Sequence, residues 1–131
     1  MKTQTFTLHT DRQGYYNITA AVKKCISDSG VRSGLCVVFC PHTTAAITIN
    51  ENADPDVRHD LVMGMDGAFP IRSGFQHAEG NSDAHLKCMT VGIIIEDGKA
   101  VLGTWQAVYF AEFDGPRTRR YYVKVMSDDA V

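Results

Sequence analysis

Apolar and polar residues alternate with period two over residues 2–9, Lys-Thr-Gln-Thr-Phe-Thr-Leu-His, and this predicts a strand. Gly14-Tyr15-Tyr16 reads as a loop. Asn17 can cap the helix that follows, where Ile18, Ala21, Val22, Cys25 and Ile26 recur at helical spacing and Gly30 is a natural stop. Residues 34–40, Gly-Leu-Cys-Val-Val-Phe-Cys, are apolar on both faces, which predicts a central strand covered on both sides. Pro41 ends it, and residues 44–49 resume as a strand. Asp54-Pro55 pairs a cap with Pro at the first helical position, so a second helix is expected to run to Met63-Gly64 on a buried stripe of Val57, Leu61 and Val62. Residues 64–76 lack periodicity and read as a long loop. Asn81 or Ser82 can cap a short helix carrying Ala84 to Met89. Residues 91–95 and 99–102 flank Asp97-Gly98 as a hairpin, and residues 104–112 and 118–125 are expected to pair across Asp114-Gly115-Pro116.

Consecutive strands with two to three helices predict an α+β fold built on a mainly antiparallel sheet. A chain of 131 residues with 44% apolar positions suits one domain spanning 1–131. Tyr121, Tyr122 and Val123 put apolar groups on both faces of the last strand, which fits either core packing or a sheet contact between copies of the chain.

Charge narrows the partners. A net charge of -2 gives no global attraction to nucleic acid or to an anionic membrane. No apolar run reaches membrane-spanning length, and the segment from Met1 to Phe6 lacks the apolar stretch of a signal peptide, so a cytoplasmic address is expected. Cys25, Cys36, Cys40 and Cys88 then read as reduced, buried thiols. Four residues apart on one strand, Cys36 and Cys40 stand roughly 13 Å from each other, too far for a disulfide.

Candidate chemistry concentrates in residues 77–85, His-Ala-Glu-Gly-Asn-Ser-Asp-Ala-His. His42, after the apolar strand, adds a third imidazole from a third segment. Three such histidines suit a divalent metal with an open position, zinc foremost, and Glu79 could orient an imidazole or act as base. The alternative is a polar loop with a helix cap. His59 shares its helix face with Asp56 and Asp60, a solvated face, and His9 has no cluster around it. Gly103-Thr104-Trp105-Gln106 reads as strand, with Thr104 and Gln106 on one face as a hydrogen-bonding shelf and Trp105 on the other. Arg117, Arg119 and Arg120 form either a solvated turn or a seat for phosphate. The glycines match no dinucleotide or P-loop pattern.

Several blocks resemble one family in order along nearly the whole chain. They are His42-Thr43-Thr44-Ala45-Ala46, Ile49 through Val57, His77 through Asn81, Ala84-His85, Gly103 through Gln106, and Glu112 through Arg117. The family is the YjbQ-like one, whose members are often labelled secondary thiamine-phosphate synthase. The resemblance implies a compact α+β domain, a homotrimer, and a metal-associated site at His42, His77 and His85. Its label implies joining a pyrimidine pyrophosphate to a thiazole phosphate with loss of pyrophosphate. One stretch departs from it: Val91 to Ile95 reads shorter than the family pattern.

The expectation is therefore a small metal-dependent enzyme acting on a phosphorylated small molecule. His42, His77 and His85 would hold the metal. Glu79 or Glu51 would serve as base, and Thr43, Thr104, Gln106 and Arg117 would hold substrate. Two alternatives stand beside it. One is a hydrolase using metal-bound hydroxide on a phosphate or ester. The other is a non-enzymatic homotrimer that binds a metal or metabolite.

Overall fold

Sequence neighbours part company in this fold, because the chain alternates between two antiparallel sheets. The computed structural model describes residues 3–87 and 91–129. Its elements in chain order are β1 (Gln4–His9), β2 (Gly14–Asn17), α1 (Thr19–Ser29), β3 (Gly34–Phe39), β4 (Ala45–Glu51), α2 (Pro55–Ala68), α3 (Ser82–Leu86), β5 (Val91–Glu96), β6 (Lys99–Ala100), β7 (Gln106–Glu112) and β8 (Thr118–Ser127). One sheet has the order β1-β8-β3-β5-β6 and the other β2-β7-β4. This is the expected α+β class with antiparallel pairing throughout.

The core lies between the sheets. Cys36 and Val38 of β3 and Tyr121, Val123 and Val125 of β8 point inward and meet Ile47 of β4 and Val108 and Phe110 of β7. Helix α1 closes one side with Val22 and Ile26, and Gly30 ends it in a left-handed conformation (φ 70°) with its N–H on Ser27 O. The outer face of the three-stranded sheet packs Ala46, Ala111 and Phe113 against Ala84 of α3, with Tyr15 and Met65 alongside. Gly34 permits the close approach of β3 to β8: a Cβ there would collide with the Met126 carbonyl.

Several expectations are corrected. Residues 14–17 form a strand on β7, so Gly14-Tyr15-Tyr16 is no loop. Residues 104–112 and 118–125 do not pair with each other. β7 lies between β2 and β4, while β8 crosses to the other sheet between β1 and β3. Helix α2 continues through Gly64 and Gly67 to Ala68, and none of its residues is fully buried, including Val57, Leu61 and Val62. Strand β3 is central as predicted, but the chain covers only one of its faces. Leu35 and Phe39 are 39% and 48% exposed on the other, where Ile94 and Met126 continue the apolar surface. The Asp97-Gly98 turn forms as predicted, with φ 51° and 73° at its two residues. β5 pairs with β3 from Val91↔Val38 to Ile95↔Gly34, so the stretch that departs from the family pattern still forms a full strand.

Cys25 and Cys36 are free thiols, and burial pushes Cys36 up to about 11, which makes it inert at neutral pH. Cys88 and Met89 lie outside the described residues. Among the described residues no helix is long and apolar enough to cross a membrane.

Candidate functional site

Three separate segments deliver their polar side chains to one end of the β4–β7 pair. Pro41 turns the chain out of β3 and presents His42 and Thr43, and Thr44 leads directly into β4. Residues 77–80 form a turn in which Gly80 (φ 73°) donates to His77 O at 3.1 Å. That turn folds His77 back toward α3, so the rings of His77 and His85 meet edge to face with centroids 5.2 Å apart. Together with Glu79, Asn81, Arg117 and Arg119 these residues line a pocket of about 330 Å³. A larger cleft of about 410 Å³ between α1 and β1 is lined by Phe6, Ala21, Cys25 and Val125 and gathers no comparable chemistry.

Beneath the pocket lies a buried ion pair. Glu112 is fully buried, and Arg119 reaches it through Nε at 2.9 Å and Nη2 at 2.5 Å. Thr10 Oγ1 donates to the same carboxylate at 2.6 Å, the Asp114 N–H at 3.1 Å, and Arg119 Nη2 also donates to Thr44 Oγ1 at 3.0 Å. Burial pushes the Glu112 carboxyl up, but the Arg119 guanidinium and the Thr10 hydroxyl outweigh it and hold the group below its ordinary value. Above this floor Arg117 donates from Nε to Asp114 O and from Nη2 to Asp114 Oδ2, both at 2.8 Å. Nη1 of each arginine stands outside these hydrogen bonds and can meet a ligand oxygen.

His42 Nε2 accepts the Arg120 backbone N–H at 2.9 Å, so its neutral ring carries the proton on Nδ1. Burial, with the nearby charges of Arg119 and Arg120, lowers its pKa below the usual histidine value and keeps the ring neutral at pH 7. Glu79 Oε2 lies 3.9 Å from His77 Nε2. Behind α3 the fully buried amine of Lys87 pairs with Asp66 Oδ1 at 2.6 Å and Asp83 Oδ2 at 3.5 Å, which ties the helix carrying His85 to α2.

As donors, three imidazoles and a carboxylate match a divalent metal in kind. They do not match in arrangement. Among the described residues no three His, Cys, Asp or Glu side chains stand close enough to share an ion, and the acceptor nitrogen of His42 is engaged by Arg120. The three-histidine ligand set expected from the sequence is present in one pocket but not assembled as a coordination sphere.

Of the other expected site residues, Thr43 and Arg117 line the pocket. Glu51, Thr104 and Gln106 are not brought there. Glu51 pairs with Gln106 at the opposite end of β4 and β7. Residues 104 and 105 form a turn and not a strand, so the proposed shelf of Thr104 and Gln106 does not exist. Gln106 Oε1 instead accepts the Gly103 N–H at 2.7 Å, and Trp105 is 67% exposed. His59 is exposed beside Asp60, as read from the sequence. Sequence reasoning missed Glu112 and Thr10. The signal for Glu112 was a single carboxylate inside the otherwise apolar run from Ala107 to Phe113.

Comparison with known proteins fixes the family. The model of the UPF0047 protein YjbQ-like family matches residues 4–128. The chain belongs to that family. It is similar to the UPF0047 protein of Methanocaldococcus jannaschii, with 52% identity over 89% of this chain and 88% of the relative. UPF0047 protein YugU of Bacillus subtilis is 48% identical over 89% and 92%. Among solved structures, a family member from Clostridium acetobutylicum superimposes with a TM-score of 0.90 at 51% identity, covering 94% of this chain and 99% of that one. A protein of unknown function from Sulfolobus solfataricus reaches 0.91 at 28% identity, covering 97% of each. The fold is thus kept where most of the sequence has changed.

Proposed function

We propose that the pocket binds a phosphorylated small molecule and that the protein acts on it as a small enzyme. The observation that carries this reading is the convergence of His42, His77 and His85 with Arg117 and Arg119 on one pocket. In this reading the Nη1 groups of both arginines take phosphate oxygens. His42, neutral with its proton on Nδ1, donates to a ligand oxygen and does not take up a charge. Thr43 adds a hydroxyl at the rim. Glu79 takes or returns a proton through His77. The reaction to try first is the one the family resemblance implies, in which a pyrimidine pyrophosphate and a thiazole phosphate join and pyrophosphate leaves. Release of pyrophosphate only when both substrates are present, lost in His85→Ala, is the expected result. Turnover of a simple phosphate ester alone would make the protein a hydrolase. Tight binding without turnover would make it a binding protein.

A metal-dependent form of this reading rests on the kind of donors the pocket gathers, the imidazoles of His77 and His85 and the Glu79 carboxylate. Elemental mass spectrometry of the purified protein tests it. About one zinc, nickel or manganese per chain, lost in His77→Ala/His85→Ala, is the outcome that supports a metal centre. None after incubation with each metal removes it and leaves the histidines as direct donors.

The homotrimer belongs to the same proposal. The uncovered face of the five-stranded sheet presents Leu35, Val37 and Phe39 beside Ile94, Tyr122 and Met126, a contiguous apolar surface that suits a second copy of this chain. Sedimentation equilibrium tests it: a species three times the 14.4 kDa chain supports the trimer, and a monomer removes it.

A further inference from the structure

Asn81 precedes α3 at the cap position, where asparagine normally turns its side-chain oxygen onto the first helical N–H groups. Here it caps nothing with its side chain. Its Nδ2 donates instead to Asp114 Oδ2 at 2.6 Å, the same oxygen that accepts Arg117 Nη2 at 2.8 Å. A carboxylate accepts and does not donate, so this bond fixes which end of the amide faces which way. The other end, Oδ1, is buried with no hydrogen-bond partner, alone in this among the described residues. Asn81 is 9% exposed and lines the pocket together with His85 and Arg117. An oriented, buried acceptor with no donor is costly to keep, and on a pocket-lining residue a ligand donor is what would satisfy it.

We propose that Asn81 selects, among phosphorylated small molecules, those that carry an O–H or N–H donor beside the phosphate, which its side-chain oxygen accepts. The proposal rests on reading the pocket as a phosphate site and adds the second half of the ligand. The arginines hold the anion, and the Asn81 oxygen repels a further deprotonated oxygen while accepting a hydroxyl or amine. The Asp114 carboxylate sets the selection by holding the amide in one orientation.

The test is calorimetric titration of glycerol 3-phosphate and propyl phosphate, which share chain length and charge and differ in hydroxyls. The wild-type protein is expected to bind glycerol 3-phosphate about ten- to a hundredfold more tightly. Asn81→Leu is expected to lose that preference, so that the two ligands bind the variant alike. The wild-type comparison needs no variant to fold, and Asn81→Ala with a matched thermal melt repeats the result in a smaller side chain. Equal binding of the two ligands by the wild type, or a preference kept by both variants, would overturn the selection and leave the phosphate reading standing. Binding of neither ligand would remove the phosphate reading itself. Loss of bound zinc in Asn81→Ala, with the ligand preference unchanged, would assign the oxygen to a metal and overturn the proposal.

Discussion

Strands β4 and β7 lie side by side from Ala45↔Glu112 at one end to Glu51↔Gln106 at the other, about 20 Å away. Both ends carry residues that read as chemistry in the sequence. At the first end a buried ion pair, a buried asparagine and three imidazoles from distant segments close on one pocket. At the second, the polar groups serve the fold: Gln106 closes a turn on Gly103, and the Tyr109 hydroxyl donates to Glu51 O at 3.0 Å and Asn52 Oδ1 at 2.7 Å. The difference lies in what supports each group. Polar side chains with buried partners and an open side toward a cavity are arranged for a ligand. Polar side chains satisfied by their own backbone are arranged for a turn.

The largest effect that separates the two ends is expected from Glu112→Ala. It strands the Arg119 guanidinium in the core and is predicted to lower unfolding free energy by about 3–5 kcal/mol, measured by urea titration. The double variant Glu112→Leu/Arg119→Met is predicted to regain most of that stability while losing ligand binding. Next comes Lys87→Met, which removes the tie between α3 and Asp66 of α2 and is predicted to cost about 1–3 kcal/mol. Its second signature is a change in the NMR signals of His77 and His85, with those of His9 unchanged.

Acid sharpens the contrast further. The folded Glu112 value lies below the ordinary 4.5, so its contribution is fully present above 4.5 and is lost as pH falls through the folded value. His42 also has a lowered value, so its contribution is present above 6.5 and declines as pH falls below that toward its folded value. Stability measured against pH in Glu112→Gln is predicted to lack the lower loss and keep the upper one. The smallest effect is expected at the other end. Gln106→Ala removes one exposed turn contact and is predicted to change stability by about 0.5 kcal/mol or less, with ligand affinity untouched.

Much of the fold could be read from local pattern. Helix α1, the apolar strand β3 and the Asp97-Gly98 turn each follow from a few adjacent residues, and all three form. The pairing of the strands could not be read that way. Asp114 to Arg117 connects β7 to β8 with hairpin-like residues, yet the chain changes sheet there, so that the two strands face each other across the core, Phe110 against Tyr121, instead of pairing edge to edge. Helix α2 runs past its predicted end because Gly64 and Gly67 sit on an exposed surface where they interrupt no packing. In the site, the convergence of His42, His77 and His85 was legible from their chemistry and spacing. Glu112 was hidden because its partner Arg119 lies on another sheet, and Glu51 and Gln106 misled because strand direction, invisible in the sequence, carries them to the far end.

The most direct test of the central claim uses the protein's five histidines as reporters on one another. Proton–carbon NMR of the imidazole rings is recorded as glycerol 3-phosphate is added. His42, His77 and His85 are predicted to shift together in a saturable way while His59, exposed on α2 outside the pocket lining, stays in place. Shifts spread equally over all five rings, or none at the three in the pocket, would contradict that claim.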